Sequence, residues 1–335
     1  MKKKLALLLS CFISIVFLLL ALKKVDVKEI GQSLINVNLI YFFVTILITF
    51  IAFFLRAVRW KVLLSPLKAF PLSMIYNATM IGFMCNYTLP ARVGEVIRAY
   101  LIGSRGNISK SAALATIIVE RVMDLFTLSF FATIILIFFP VPLYLKKIGF
   151  TIFVLNILLF LLLVMMHKKS VLFIRIIEKP LSIFGSRIKE KVKILLSAFI
   201  EGLDILGNSS SFLMASFISL GIWIITGLHF YVLFFSLPIR LPLYAAFLDM
   251  VILTFGIMIP STSGFIGTFQ FFVKEGLMIF NVDPNMALSY SILLYATQFL
   301  LVVGVGLISL WIWGLNFKDL KTKASYNLLE KKQKQ

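Results

Sequence analysis

Charged side chains are scarce in this chain of 335 residues, and acidic ones are the scarcest. Only 14% of the residues are charged, whereas 61% are hydrophobic. Soluble domains carry about 25% charged residues, so this composition excludes an ordinary water-soluble fold. Lipid offers no hydrogen-bond partner to a backbone, and helices satisfy their own peptide groups. The sequence therefore predicts an all-α integral membrane protein that crosses the bilayer several times.

Ligands for metals and nucleotides are also few. The chain has two cysteines, Cys11 and Cys85, which lie far apart, and only two histidines. This excludes a disulfide framework and argues against a zinc site. Gly264 and Gly267 share a short glycine pattern, but neither a GxGxxG loop nor a Walker lysine accompanies it. We expect no cofactor, no metal and no direct use of ATP.

Basic residues are abundant by contrast, with 33 Lys and Arg against 14 acids and a net charge of +19. In so apolar a chain, such an excess is typical of cytoplasmic loops that contact anionic lipid head groups. Nucleic acid is therefore not an expected partner. Lys2–Lys4 predict that the N-terminus lies in the cytoplasm, and Lys318, Lys321 and Lys323 after the last span predict the same for the C-terminus. The expected location is the cytoplasmic membrane.

Eight apolar stretches are long enough to enter a bilayer whose core is about 30 Å thick. They are 5–22, 39–60, 72–89, 111–139, 148–166, 211–236, 244–281 and 286–316. The first resembles a signal peptide, but it lacks a small-x-small cleavage site and runs into Lys23 and Lys24. An uncleaved first span fits it better.

Two of these stretches are predicted to be re-entrant. If 72–89 crossed completely, four basic residues would lie outside: Arg92, Arg98, Arg105 and Lys110. That would violate the positive-inside rule, so we interpret 72–110 as a hairpin entering from the cytoplasm. The Pro- and Gly-broken segment 244–281 enters from the opposite side. Six full crossings remain.

The two broken segments indicate an internal inverted repeat. Leu89 to Gly94 and Ile259 to Gly264 share Pro and Gly at a constant offset, and broken segments in corresponding halves are typical of transporters. Two unrelated Pro/Gly breaks are the alternative. The predicted organisation is one membrane domain, residues 1–335, with these parts: first span 5–22, first half 39–139, connecting segment 140–210, second half 211–316 and cytoplasmic tail 317–335. Within the connecting segment, 187–206 is predicted to be an interfacial amphipathic helix.

Span 111–139 contains three charged residues, Glu120, Arg121 and Asp124. Each costs about 2.5–3.5 kcal/mol at a helix centre, so the helix must face protein or water. Two readings remain open: an interhelical ion-pair lock, with Arg56 or Arg59 as partners, or a wall of a transport cavity. Arg56, Arg59 and Trp60 themselves are predicted to anchor their span at the membrane interface, with Arg56 able to turn inward.

A polar motif follows the first break. Pro90 ends the incoming helix, and a returning helix is predicted from near Arg92. A helix N-terminus with basic side chains suits an anion such as a phosphate-bearing head group. A cytoplasmic turn with ordinary surface arginines is the alternative. The candidate binding residues in this motif are Asn86, Pro90, Arg92, Gly94, Glu95 and Arg98.

The second break contributes a helix start rich in hydroxyl groups and glycine. Its candidate residues are Ser261, Ser263, Gly264 and Gly267. The hydroxyls could cap the helix or coordinate a polar head group, and both readings stay open.

These motifs together resemble the lysylphosphatidylglycerol synthase transmembrane family. The resemblance rests on Asn86-x-x-Leu89-Pro90-x-Arg92-x-Gly94-Glu95-x-x-Arg98, Glu120-Arg121-x-x-Asp124 and Pro260-x-x-x-Gly264-x-x-Gly267, and covers residues 5–316. The family includes the flippase domain of the bacterial multiple peptide resistance factor and stand-alone flippase-like proteins. The resemblance implies lipid translocation, with the motif residues lining the lipid site.

Two departures from the family qualify what is expected. Gln270 stands where members often carry Glu, and only about twenty residues follow the last span, whereas synthase members append a soluble aminoacyl-transferring domain. We therefore expect no enzyme activity and no catalytic residues. The predicted function is a flippase-like transporter of an anionic or aminoacylated phospholipid, or of a polyprenyl-phosphate carrier. The alternatives are a lipid-modifying enzyme related to phosphatidylglycerol lysyltransferase and a non-transporting subunit that tethers a synthase or glycosyltransferase.

Overall fold

The computed structural model of the chain describes residues 2–89, 93–139, 142–170, 207–259 and 262–316, with residues 194, 196, 197, 200 and 203. All regular elements in these residues are helical, which confirms the all-α membrane fold. In chain order they are α1 (Lys2–Leu22), α2 (Val27–Ile35), α3 (Leu39–Leu64), α4 (Leu72–Thr88), α5 (Gly94–Gly106), α6 (Lys110–Phe138), α7 (Leu143–Lys168), α8 (Ser209–Phe234), α9 (Leu243–Gly256), α10 (Thr268–Met278) and α11 (Pro284–Ile312).

In the described part of the chain, five helical stretches are long and apolar enough to cross a membrane. They are Leu39–Leu64, Lys110–Phe138, Gly149–Lys168, Ser209–Phe234 and Pro284–Ile312. A helix of 26 residues such as α3 rises about 39 Å, more than the bilayer core of about 30 Å. These stretches coincide with five of the six predicted crossings. The remaining one, 5–22, lies in α1, whose part Cys11–Leu22 is apolar but short, so the total number of crossings stays a prediction.

The first broken segment folds back on itself. The backbone N–H of Gly94, at the start of α5, donates to Asn86 Oδ1 over 2.9 Å. A Cβ on Gly94 would collide with the carbonyl oxygen of Gly82, so the chain has returned alongside α4 within twelve residues. At the other end, Lys68 Nζ donates to the carbonyl of Gly106 over 2.9 Å. The chain therefore reverses direction between α4 and the start of α5, and this reversal is the tip of the first hairpin.

The second broken segment is an antiparallel hairpin. Near its tip Gly256 of α9 packs on the ring of Phe272, and near its base Gly276 of α10 packs on Asp249. With 14 and 11 residues, its helices rise about 21 and 17 Å, so neither spans a bilayer core alone. The side from which either hairpin enters the membrane stays a prediction.

The chain forms two compact units that interleave in sequence. Unit 1 comprises residues 1–54, 80–94 and 222–335, and unit 2 comprises 55–79 and 95–221. The predicted division into repeat halves stays a prediction. The predicted tail 317–335 and the predicted amphipathic helix lie outside the described residues, apart from isolated positions of that helix.

Unit 1 attaches α1 to the second hairpin. Ser14 Oγ donates to Thr262 Oγ1 over 2.8 Å and accepts from the backbone N–H of the same threonine. Further along, Lys274 Nζ donates to the carbonyls of Ala21 and Lys23 over 2.9 and 2.7 Å. These bonds satisfy carbonyl groups at the end of α1 that have no partner within the helix.

Candidate functional site

The charged residues of α6 lie inside a spanning helix and are buried. Glu120 is fully buried and Asp124 is 4% exposed. They are four positions apart, so both lie on one face of the helix, and Arg121 reaches that face. An isolated charge in this position would be costly, and each of the three instead has oppositely charged partners within unit 2.

Glu120 is held by arginines from two other helices. Arg98 of α5 forms a two-pronged pair with it, at 3.2 and 3.1 Å. Arg59 of α3 approaches the same carboxylate at 3.4 Å. The Arg98 guanidinium lies 4.1 Å from the ring centroid of Trp60, and the indole N–H of Trp60 donates to Thr116 over 3.0 Å. The planar guanidinium thus has a carboxylate at its edge and a ring on its face.

Asp124 joins three guanidinium groups. Arg59 contacts its two oxygens at 2.6 and 3.3 Å, and Arg121 Nη1 lies 3.3 Å from Oδ2. Arg56 is more distant, at 3.9 Å. Arg59 also donates to the hydroxyl of Ser219 on α8 over 2.8 Å. Asp124 therefore connects α6 to α3, and Arg59 extends the connection to α8.

One edge of this network is open. Arg121 Nε lies 3.1 Å from Glu95 Oε1, and these two side chains are 33% and 27% exposed. Within the described residues the ion network thus runs from a sealed centre at Arg59 and Glu120 to an accessible pair at its rim. An exposed pair can exchange its partner for a ligand at little cost, since surface ion pairs contribute about 0–1 kcal/mol.

The ion network carries an excess of positive charge. Its four guanidinium groups are balanced by three carboxylates, so the net charge is four minus three, or +1. The members are Arg56, Arg59, Arg98, Arg121, Glu95, Glu120 and Asp124. Guanidinium groups in a medium of low dielectric attract anions strongly, and their planar fork matches phosphate.

An apolar cavity of about 290 Å³ lies beside the ion network in unit 2. Its wall uses α6 residues that alternate with the charged ones, including Val122 and Phe126, and rings from α7 and α8, Phe160 and Phe212. Ser219 belongs to the cavity wall and also accepts the hydrogen bond from Arg59. The polar network and the apolar space therefore share a boundary.

The predicted site residues separate into two groups. Unit 2 brings together five of them: Glu95, Arg98, Glu120, Arg121 and Asp124. Unit 1 contains Asn86, Gly94, Ser263, Gly264 and Gly267. Pro90, Arg92 and Ser261 lie outside the described residues.

Within unit 1 the tips of the two hairpins meet. A Cβ on Gly264 would lie 2.9 Å from the carbonyl oxygen of Tyr87, and a positive φ of 72° makes glycine the favoured residue there. The Tyr87 ring contacts Phe265 at 6.0 Å between centroids, and its hydroxyl donates to Gln298 over 3.0 Å.

Two details of the helix starts differ from expectation. The N–H of Gly94, the first of α5, is occupied by Asn86 rather than free for an anion. The start of α10 is capped by an amide, because the N–H of Gly267 donates to Gln270 Oε1 over 2.8 Å. The hydroxyl of Thr268 bonds back to the carbonyl of Phe265 instead.

The prediction of interface anchoring is wrong for Arg59 and Trp60, since both are fully buried. Helix α3 continues to Leu64, so these residues are not at its end. The sequence did contain a signal for their burial. Helix α6 carries two acids, Glu120 and Asp124, and Arg121 alone cannot neutralise both. Arg56 does turn inward, being 9% exposed.

Comparison with known proteins identifies relatives along most of the chain. UPF0104 membrane protein MJ1595 of Methanocaldococcus jannaschii is 24% identical over 312 residues, 90% of this chain and 93% of that protein. UPF0104 membrane protein MJ1078 of the same organism is 28% identical over 239 residues, 68% of this chain and 93% of that protein. Glycosyltransferase AglD of Haloferax volcanii is 34% identical over 87 residues, 25% of this chain but 14% of that protein. No solved structure matches the chain.

The family comparison agrees with the motifs. The profile of the lysylphosphatidylglycerol synthase TM region matches residues 7–306. That range contains the α6 charges, the Asn86–Arg98 motif and the glycines of the second hairpin. Because the match extends over nearly the whole sequence, the chain belongs to the lysylphosphatidylglycerol synthase transmembrane family.

Proposed function

We propose that the protein moves a lipid with a phosphate-bearing head group between the leaflets of the cytoplasmic membrane, with both termini in the cytoplasm. The observation that carries this proposal is the ion network with its net charge of +1, open at Arg121 and Glu95 and bordered by an apolar cavity. An amphiphile with an anionic head needs both kinds of surface. The phosphate binds at the Arg121 edge, and part of an acyl or isoprenoid chain occupies the cavity.

The network also acts as a lock in this proposal. Its sealed centre holds α3, α5, α6 and α8 together, while its rim exchanges partners with the head group. Both readings of the α6 charges are thereby used: Glu120 and Asp124 form the lock together with Arg59 of α3, and Arg121 forms the binding edge together with Glu95 of α5. Arg98 contributes to the lock through its pair with Glu120, and in this proposal it also forms part of the wall of the lipid-binding site.

A polyprenyl-phosphate carrier is a second candidate substrate. It has the same chemistry, an anionic phosphate on an apolar chain, and the partial similarity to glycosyltransferase AglD favours it. In that case the protein serves a separate glycosyltransferase, which would be a functional partner rather than a part of this chain. An aminoacylated phospholipid fits the same site through Glu95, which supplies a carboxylate for a cationic head.

The decisive experiment uses two variants that both remove the Arg121–Glu95 ion pair and change the net charge in opposite directions. Arg121→Gln also removes the contacts of Arg121 with Glu120 and Asp124. Arg121→Gln lowers the network to 0, and Glu95→Gln raises it to +2. We expect transport of a fluorescent anionic phospholipid in proteoliposomes to fall at least about ten-fold in R121Q and to be kept or raised in E95Q, because an anion gains from each added positive charge.

Lys61→Gln is the matched control, because Lys61 is exposed on α3. It should transport at the wild-type rate. Equal losses in R121Q and E95Q would mean that the pair only stabilises the fold, and no lipid movement above empty liposomes by wild-type protein would overturn the proposal. Repeating the assay with a polyprenyl phosphate separates the two substrates.

A further inference from the structure

Asp249 is a buried acid that has no counter-charge among the described residues. It lies on α9 and is fully buried. Neither of its carboxylate oxygens has a hydrogen-bond partner in the described residues. The ion pairs of those residues involve Glu95, Glu120 and Asp124 but not Asp249.

The helices packed around Asp249 do not compensate it. On α10, Gly276 lies directly against Oδ1, and a Cβ there would overlap that oxygen. On α11, Tyr290 is close enough to interact electrostatically with it, but the tyrosine hydroxyl donates to the carbonyl of Phe230 over 2.7 Å.

The remaining titratable groups on these elements have other partners or lie elsewhere. The Lys274 ammonium on α10 is bonded to the carbonyls of Ala21 and Lys23. Its neighbour Glu275 is an acid and adds no positive charge. On α8, His229 is paired with Thr297 over 3.0 Å. Within the described residues, the groups established beside Asp249 are therefore Gly276, which lies against Oδ1, and Tyr290, and neither carries a positive charge.

A carboxylate in such a place would pay a desolvation cost of several kcal/mol with nothing to offset it. A carboxylic acid pays far less, because it is neutral. Ionisable side chains buried in membrane helices commonly mark proton pathways. The absence of a Cβ at Gly276 lets α10 close over the group, so separation of α9 from α10 would open it to water.

We propose that Asp249 is a proton-binding site that couples lipid movement to a proton gradient. With the hairpin closed, as in this structure, the carboxyl holds its proton. When α9 and α10 separate, the O–H bond breaks, its electron pair stays on the carboxylate and the proton passes to water. The hairpin closes again only after Asp249 has taken up another proton. This inference rests on the proposed function.

The first measurement needs no transport. Infrared difference spectra of the purified full-length protein at neutral pH, wild type minus Asp249→Asn, should contain the C=O stretch of a protonated carboxyl. Asn has nearly the shape of neutral Asp, so this variant should fold. Absence of the band, with both proteins folded, would overturn the inference whether or not lipid moves.

The second measurement uses proteoliposomes with an imposed pH gradient. One proton per lipid and a gradient of one pH unit shift the ratio of lipid between leaflets by about ten-fold, because one unit is equivalent to a factor of ten. We expect this shift for wild type, and for Asp283→Asn as a matched exposed control. The Asp249→Asn variant should still move lipid, but the amounts of lipid in the two leaflets should become equal despite the pH gradient.

The outcomes separate the two proposals. Wild-type lipid movement that ignores the pH gradient, or a D249N variant that responds to it like wild type, would refute proton coupling and leave the lipid function intact. Failure of wild type to move lipid at all, with the infrared band present, would refute the lipid function, and the coupling would fall with it.

Discussion

The two units contain buried acids in opposite electrostatic situations. In unit 2, Asp124 and Glu120 are surrounded by guanidinium groups, and the cluster has more positive than negative charges. In unit 1, Asp249 is equally buried, and no cation of the described part of the chain pairs with it. Burial alone therefore does not define what an acid does, because its partners determine whether the charged form persists. Charged acids fix helices to one another, whereas an uncompensated one is suited to gain and lose a proton.

The variant with the largest expected effect on stability removes Arg59, the central cation of the ion network. Arg59→Met leaves Glu120 and Asp124 with fewer partners while keeping the volume of the side chain. We expect a loss of about 3–5 kcal/mol in the free energy of unfolding, the usual cost of breaking a buried ion pair on one side. Thermal unfolding in detergent, monitored by size-exclusion chromatography, measures it.

Lys61→Met is the control for that variant, since it removes a cation from the exposed side of the same helix. If R59M unfolded at the same temperature as the wild type, the ion network would contribute nothing to the stability of the fold.

The most direct comparison makes one substitution at two positions. Asp124→Asn removes a charge that Arg59 needs, so we expect a loss of about 2–3 kcal/mol in the free energy of unfolding. Asp249→Asn removes no ion pair and replaces a neutral acid by an amide of the same shape, so we expect a change below about 1 kcal/mol. Denaturant titration of both variants in the same detergent measures the difference. Equal losses would erase the distinction between the two sites.

A third prediction concerns the closure over Asp249. Gly276→Ala places a methyl group where the carboxylate oxygen lies, so α10 must move away from α9. Overpacking of this kind costs about 1–3 kcal/mol. We expect faster hydrogen exchange in α9 and α10, measured by mass spectrometry, with α6 unchanged. Gly304→Ala is the control, because a Cβ there meets no atom within 4 Å. Unchanged exchange in G276A would show that the contact does not seal the site.

The smallest expected effect on stability lies at the rim of the ion network. Glu95→Gln breaks only the pair with Arg121, whose side chains are about one-third exposed, so it should change the free energy of unfolding by about 1 kcal/mol or less. Arg121→Gln also removes contacts with the buried Glu120 and Asp124, which keep Arg98 and Arg59 as partners, so we expect a loss of about 1–3 kcal/mol. Both variants should therefore remain folded in the transport assay. If either variant unfolded at a temperature as low as that of R59M, the rim would contribute as much to stability as the sealed centre, and the distinction between them would be wrong.

The sequence was informative where a residue conflicts with its surroundings. The α6 charges stand inside an apolar run, so their burial and mutual pairing could be predicted from cost alone. The hairpins followed from prolines, glycines and the distribution of basic residues. Two readings of Arg59 stood side by side, an interface anchor and an ion-pair partner of the α6 acids, because a charge near the end of an apolar run satisfies the rule for interface anchors equally well. The structure decides for the ion pair, since Arg59 is buried against Glu120 and Asp124.

The sequence offers no pattern that marks Asp249 as a site. A single acid between Leu248 and Met250 carries no pattern, and its significance comes from what does not approach it in space. The amide cap at the start of α10 could not be predicted from the sequence either. The resemblance marks Gln270 only as a residue that stands where family members often carry Glu, and this does not indicate a cap. Sequence reports which groups a chain possesses, but the compensation of a charge depends on the positions of all its neighbours.

The bonds from Lys274 to the end of α1 bear on how the protein can be shortened. A version beginning after Lys24 would deprive that ammonium of both carbonyl acceptors, at a cost of about 1–3 kcal/mol. The same truncation would strip Thr262 of its contact with Ser14. The N-terminal helix is therefore a brace for the second hairpin, and any label or fusion at this end should extend it rather than replace it.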